Sequence, residues 1–168
     1  MSNQTSAVAP AADIHPVITK QQLLEAWQGH RRLTRRVIGA FPEPELFRFS
    51  IGGMRPFADI VMELIGIAGP GAAGMATNEW HPLNEHREHG NSKERILAMW
   101  DEATERINQH WAEIPDFRFQ ETVVAFGRYE GPAYSSILYF IDNEIHHRGQ
   151  AYVYLRALGN QPPFFWER

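Results

Sequence analysis

Four stretches of this chain place apolar residues at the 3.6-residue period of a helix, and each is bounded by residues that start or stop one. In the first, Thr19 and Gln22 have the spacing of a capping box, and Leu23, Leu24, Trp27, Leu33, Val37 and Ile38 follow at helical intervals. This predicts a helix over about residues 19 to 39. Phe41-Pro42-Glu43-Pro44 closes it, and a loop through Gly52-Gly53 leads to Pro56, whose missing N–H suits a first helical turn. Phe57, Ile60, Val61, Leu64, Ile65 and Ala68 form the second stripe. Asn91 or Ser92 caps the third, which carries Ile96, Leu97, Met99, Trp100, Ala103, Ile107 and Trp111 and stops at Pro115. The fourth and longest opens at Gly131-Pro132 and ends near Gly159, with Pro162 and Pro163 barring continuation. Phe119, Thr122, Val123 and Val124 have strand character, so a short extended segment or hairpin precedes the last helix. Together these elements predict an all-α four-helix bundle.

The 168 residues have the length of a single domain, expected over 17–168 behind a flexible N-terminal tail at 1–16. That tail has no positively charged start and no continuous apolar stretch, so it does not read as a secretory signal. No apolar run approaches the roughly 20 residues of a membrane span. The absence of cysteine removes disulfides and thiolate ligands. A net charge of -4 gives no support for binding a phosphate backbone. The expectation is a cytoplasmic protein with neither nucleic acid nor membrane as partner. Arg31, Arg32, Arg35 and Arg36 read as a solvated helix face. Gly69, Gly71 and Gly74 match G-x-G-x-x-G, but they follow a helix where a dinucleotide fold needs a strand, so they read as a helix stop and loop. His81, His86 and His89 have no period that fixes their geometry and read as a solvated loop. The run Pro162-Pro163-Phe164-Phe165-Trp166 is aromatic enough to pack on the bundle or on a second subunit.

The chemistry gathers on the last helix. Phe140, Asn143, His147, Ala151, Tyr154 and Leu158 fall along one stripe, with Ser136 and Gln150 at its edge. Asn143 and His147 are four residues apart, one above the other, and can offer two donor atoms to one ion or hydrogen-bond to each other in the core. His146 points about 100° away. Gly149 inside the helix suggests a close helix approach. On the second helix Glu63 borders the apolar stripe, turned to solvent, paired with an arginine, or facing the centre of the bundle.

The segment Ile141-Asp142-Asn143-Glu144-Ile145-His146-His147-Arg148-Gly149-Gln150, followed by Tyr154-Leu155-Arg156-Ala157-Leu158-Gly159, resembles the last-helix signature of the DinB-like (DinB/YfiT) superfamily. The resemblance extends more weakly over Arg55 to Ile67 and to the four-helix plan. It implies an up-down-down-up type bundle, often a homodimer, with a divalent metal held by three histidines, one from the second helix and two from the last. The matching positions here are Glu63, Asn143 and His147, of which only His147 keeps the family residue. A carboxylate and an amide oxygen are harder and weaker ligands than two imidazoles. Two arrangements remain open: a three-ligand metal site with an open position, or a Glu-Asn-His hydrogen-bond cluster without metal.

The resemblance carries two kinds of function. One is a metal-dependent enzyme acting on a small-molecule substrate, either a transferase using a low-molecular-weight thiol or a hydrolase using metal-bound water. Its ion would be zinc, nickel, iron or manganese on Glu63, Asn143 and His147, with His146, Gln150 and Tyr154 orienting substrate or moving a proton. The other is a non-catalytic, stress-related dimer that binds a small ligand or a partner protein and whose metal site is degenerate. No nucleophile and base pair is recognisable that would name a catalytic residue.

Overall fold

The computed structural model describes residues 16–84 and 88–168; the expected tail up to residue 15, and His86, lie outside the described residues. The chain runs α1 (Lys20–Ala40), a six-residue α2 (Glu43–Arg48), α3 (Phe57–Thr77), α4 (Lys93–Glu113), a 3-10 turn (Asp116–Gln120), β1 (Thr122–Ala125), β2 (Tyr129–Pro132) and α5 (Ala133–Ala157). Helix dominates, and the extended segment is an antiparallel hairpin with Thr122 opposite Pro132 and Ala125 opposite Tyr129. α1 and α3 each pack against both α4 and α5, so the four long helices enclose one core with α1 diagonal to α3.

Local chemistry sets the ends. Thr19 Oγ1 accepts the Gln22 N–H at 3.1 Å while Gln22 Oε1 accepts the Thr19 N–H at 2.9 Å, satisfying two donors that a helix start leaves orphaned. Ser92 caps α4 by accepting the Arg95 N–H at 3.2 Å.

α3 departs from the expected stop at Gly69 and continues through Pro70, Gly71 and Gly74 to Thr77. These glycines serve packing rather than termination. A Cβ on Gly71 would lie 2.6 Å from the Phe140 ring, and one on Gly74 would lie 2.5 Å from the Trp80 ring. Asn78, left-handed at φ 62°, ends the helix and turns the chain back so that Trp80 covers Gly74. Prolonged in this way, α3 has the length and apolarity of a membrane span, contrary to the expectation that no stretch of the chain approaches one. Most of it is buried among its neighbours, as suits the central helix of a bundle.

The core has two apolar clusters, one around Phe41, Phe57, Trp100 and Tyr154 and the other around Trp27, Trp111, Phe126 and Phe140. A charged layer separates them. Arg31 is 1% exposed, which overturns its reading as part of a solvated face; Arg32, Arg35 and Arg36 do face solvent. The Arg31 guanidinium stacks 3.3 Å over the Trp100 ring and donates to Thr104 Oγ1 at 3.0 Å and to the Trp100 carbonyl at 3.1 Å. It faces the Glu144 carboxylate at 3.5 Å. Thr34 Oγ1 donates to Glu144 Oε1 at 2.6 Å, and Arg148 donates to Thr34 Oγ1 at 3.0 Å. Burial pushes the Glu144 carboxyl up and draws Arg31 down to about 10, each shift held in check by the partner's charge.

The C-terminal run folds back on α1 through the Arg36–Glu167 ion pair at 3.2 Å, and Phe164 stacks on Trp166 with ring centres 4.7 Å apart. The rings of Phe164, Phe165 and Trp166 nevertheless remain 47%, 63% and 61% exposed, so the burial expected for them does not occur within the chain.

Candidate functional site

Glu63 on α3 meets Asn143 and His147 on α5 across the seam where the two helices pack. The four-residue spacing of Asn143 and His147 stacks them on one face, and both reach the same oxygen. Glu63 Oε1 accepts from Asn143 Nδ2 at 3.2 Å and from His147 Nε2 at 3.2 Å. Arg55, from the loop before α3, binds Glu63 Oε2. The Glu63 and His147 side chains are 15% and 12% exposed, so the cluster is largely buried but still reached by solvent.

The second-tier residues are arranged in sequence. His147 Nδ1 faces Gln150 Oε1 at 2.8 Å, and the Gln150 amide nitrogen donates to His146 Nε2 at 3.2 Å. His146, set apart by the helical angle, is therefore joined to His147 through Gln150, and the two rings meet edge to face at 5.0 Å. Tyr154 is fully buried, and its hydroxyl donates to the Arg55 carbonyl at 2.9 Å, fastening the loop that delivers the guanidinium. A Cβ on Gly149 would meet no atom within 4 Å, so the close helix approach expected there is not made within the chain.

The hydrogen bond from His147 draws the Glu63 carboxyl down to about 2 against the opposing effect of burial, with Arg55 and Asn143 adding to the pull. Burial works against a charged His147, but the hydrogen bonds to Glu63 and Gln150 outweigh it and raise its pKa. Both ring nitrogens face acceptors, which is the pattern of an imidazolium.

As placed, the donor atoms of this set are engaged with one another and with Arg55 rather than turned to an open coordination position. A ligating imidazole needs a free lone pair, whereas here each ring nitrogen lies within hydrogen-bonding distance of an acceptor, Gln150 Oε1 and Glu63 Oε1. Both Glu63 oxygens are already engaged, one of them by a guanidinium. Among the described residues no group of three or more His, Cys, Asp or Glu side chains is placed to hold a metal ion.

One helical turn farther along the two helices, from Glu63 to Ile67 on α3 and from Asn143 to Phe140 on α5, lies a pocket of about 290 Å³. The hairpin covers it with Ala125, Phe126, Tyr129 and Glu130, and Ser136 and Tyr139 line the α5 side.

Sequence reasoning left an arginine partner open for Glu63 without naming Arg55, and missed the buried charges of α5. A signal for the latter exists. Ile137, Ile141, Glu144, Arg148, Ala151 and Leu155 alternate at spacings of four and three, the pattern of a helix seam, and all six are buried.

Residues 1–167 match the profile of a family described as the DinB family. Among solved structures, the chain is similar to a DinB-like protein from Bacillus cereus, with 15% identity and a TM-score of 0.71 over 87% of this chain and 97% of that one. It is also similar to a DinB-like protein from Bacillus subtilis, with 13% identity and a TM-score of 0.67 over 88% and 99% of the two chains. A mycothiol-dependent maleylpyruvate isomerase shares 12% identity and a TM-score of 0.55, over 78% of this chain and 60% of that one. Identities this low show a common fold. No match is found among curated proteins.

Proposed function

The chain belongs to the DinB family, and from that premise we propose that it binds a small molecule at the seam between α3 and α5 and protonates it from His147. The observation that carries this reading is the convergence of Asn143 Nδ2 and His147 Nε2 on Glu63 Oε1, one turn from an apolar pocket. A general acid works best with a pKa near the operating pH, and Glu63 raises that of His147 by holding the proton on Nε2 until a ligand oxygen competes for it. Gln150 fixes the ring plane through Nδ1, and Arg55 keeps the carboxylate ionised. Asn143 offers a further donor to a polar group that displaces it from Glu63.

A second reading keeps the thiol. An imidazolium and a guanidinium flanking one carboxylate give the site two cations, and nearby cations lower a thiol's pKa without a metal. A low-molecular-weight thiol could then be the co-substrate, in keeping with the dependence of the maleylpyruvate isomerase on mycothiol. Metal-dependent transfer or hydrolysis on Glu63, Asn143 and His147 would instead require a free lone pair on His147 Nε2 and a Glu63 Oε1 released from its hydrogen bonds to Asn143 and His147.

Metal analysis of protein purified without a metal-affinity tag separates these readings. Reconstitution with zinc, nickel, iron or manganese should leave below about a tenth of an equivalent bound. Turnover in a screen of small electrophiles, with and without cellular thiols, should survive chelator and vanish in His147→Ala. A full equivalent of metal that is lost together with His147 would overturn the proton-donor reading.

A further inference from the structure

The pocket beside the polar centre is lined by four aromatic rings, Phe126, Tyr129, Tyr139 and Phe140, together with Ile67 and Leu83. Its wall is assembled from interlocking choices along the chain. Gly71 clears room for the Phe140 ring and Gly74 for Trp80. Phe126 then packs edge to face on both, 5.5 Å from Trp80 and 5.9 Å from Phe140. Phe126 sits at φ 55°, a left-handed conformation that costs a non-glycine residue roughly 1–2 kcal/mol, beside Gly127 at φ 70° in the hairpin turn that the Arg128 N–H closes on the Ala125 carbonyl at 3.1 Å. The turn and these ring contacts together place Phe126 in the wall of the pocket.

Among the described residues of the lining Glu130 is the one that is charged; it is exposed and has no ion-pair partner among the described residues. The other polar side chains are Ser135, Ser136 and the two tyrosine hydroxyls. Ring faces carry negative potential, so an aromatic wall and an uncompensated carboxylate attract a cation and disfavour an anion. Arg128 already lies 5.6 Å over the Tyr129 ring, an internal instance of the same attraction. A volume of about 290 Å³ stands at the lower edge of ligand pockets, enough for a molecule of one or two rings.

We propose that this pocket binds a small aromatic amine, its flat body between Phe126, Tyr139 and Phe140 and its ammonium group at Glu130. The proposal rests on the small-molecule reading above and names the class of the ligand. Three compounds of nearly equal shape test it on the full chain: 2-phenylethylamine, 2-phenylethanol and phenylacetate, titrated while the tryptophan indole signals are followed by NMR. The amine should bind most tightly and the acid least, separated by about tenfold. Glu130→Gln should bring the amine to the level of the alcohol, and Ser136→Trp, which fills the cavity, should abolish binding of all three. If Ser136→Trp fails to fold by circular dichroism, the Glu130→Gln comparison still decides. Saturable binding in which the acid equals the amine, or an amine preference that survives Glu130→Gln, overturns the amine class and leaves the small-molecule reading standing. No saturable binding by any of the three overturns the pocket as the ligand site.

Discussion

At the scale of single residues, the site is defined by what each polar atom already holds. Glu63 and His147 form a charged pair whose two halves titrate in opposite directions. The Glu63 carboxyl lies near 2 in the folded chain against its ordinary 4.5, so its contribution to stability is complete above 4.5 and is lost as pH falls towards 2. The His147 pKa is raised above its ordinary 6.5, so its contribution is complete below 6.5 and is lost as pH climbs through the raised value. The pair is therefore fully in force between 4.5 and 6.5. Urea unfolding of the wild type and of Glu63→Gln should differ most in that window, by about 1–2 kcal/mol, and the difference should shrink on both sides. A difference that does not vary with pH would show that the two groups are not coupled. His30 is the counter-example within the same fold. Burial, with Arg148 and Arg168 adding to the effect, lowers its pKa to about 4, so it stands neutral where His147 stands charged.

At the scale of helices and turns, the caps and stripes of the sequence locate α1, α4 and α5 closely, because hydrogen bonds between near neighbours decide where a helix begins. Thr19 with Gln22, and Ser92 with Arg95, are legible for that reason. The end of α3 was not legible, because what Gly71 and Gly74 accommodate comes from Phe140 and Trp80, one of them far away in the chain. The same limit hid Arg31, whose burial depends on Trp100 and Glu144 arriving from two other helices. Glu63, Asn143 and His147 could be singled out as a group only through a family resemblance, and Arg55 had no local mark at all. The glycines of α3 give a direct check. Gly71→Ala forces a methyl against the Phe140 ring at 2.6 Å and should destabilise by about 1–3 kcal/mol. Gly69→Ala meets its nearest atoms at 3.7 Å and should leave stability unchanged or raise it by up to ~1 kcal/mol through helix propensity. Thermal melts of the two variants should therefore move apart; parallel shifts would mean that Phe140 does not press on α3.

At the scale of the whole molecule, two apolar clusters are joined by the charged layer of Arg31, Thr34, Glu144 and Arg148. Glu144 is the carboxylate that faces both guanidiniums, at 3.5 Å from Arg31 and 3.8 Å from Arg148. Glu144→Leu should destabilise by about 3–5 kcal/mol in chemical denaturation, because it leaves buried cations without their counter-charge. A loss below about 1 kcal/mol would show that the carboxyl is not ionised there. The layer also bears on how such a protein diversifies. Glu144 and Arg148 each adjoin, in sequence, one of the residues that face α3, Asn143 and His147, and the helical twist directs the two sets to different sides of α5. Replacing the side chains that face α3 thus leaves the fastening of α5 to α1 untouched, so selection can exchange one chemistry for another at positions 143 and 147 while the scaffold that carries them stays constant.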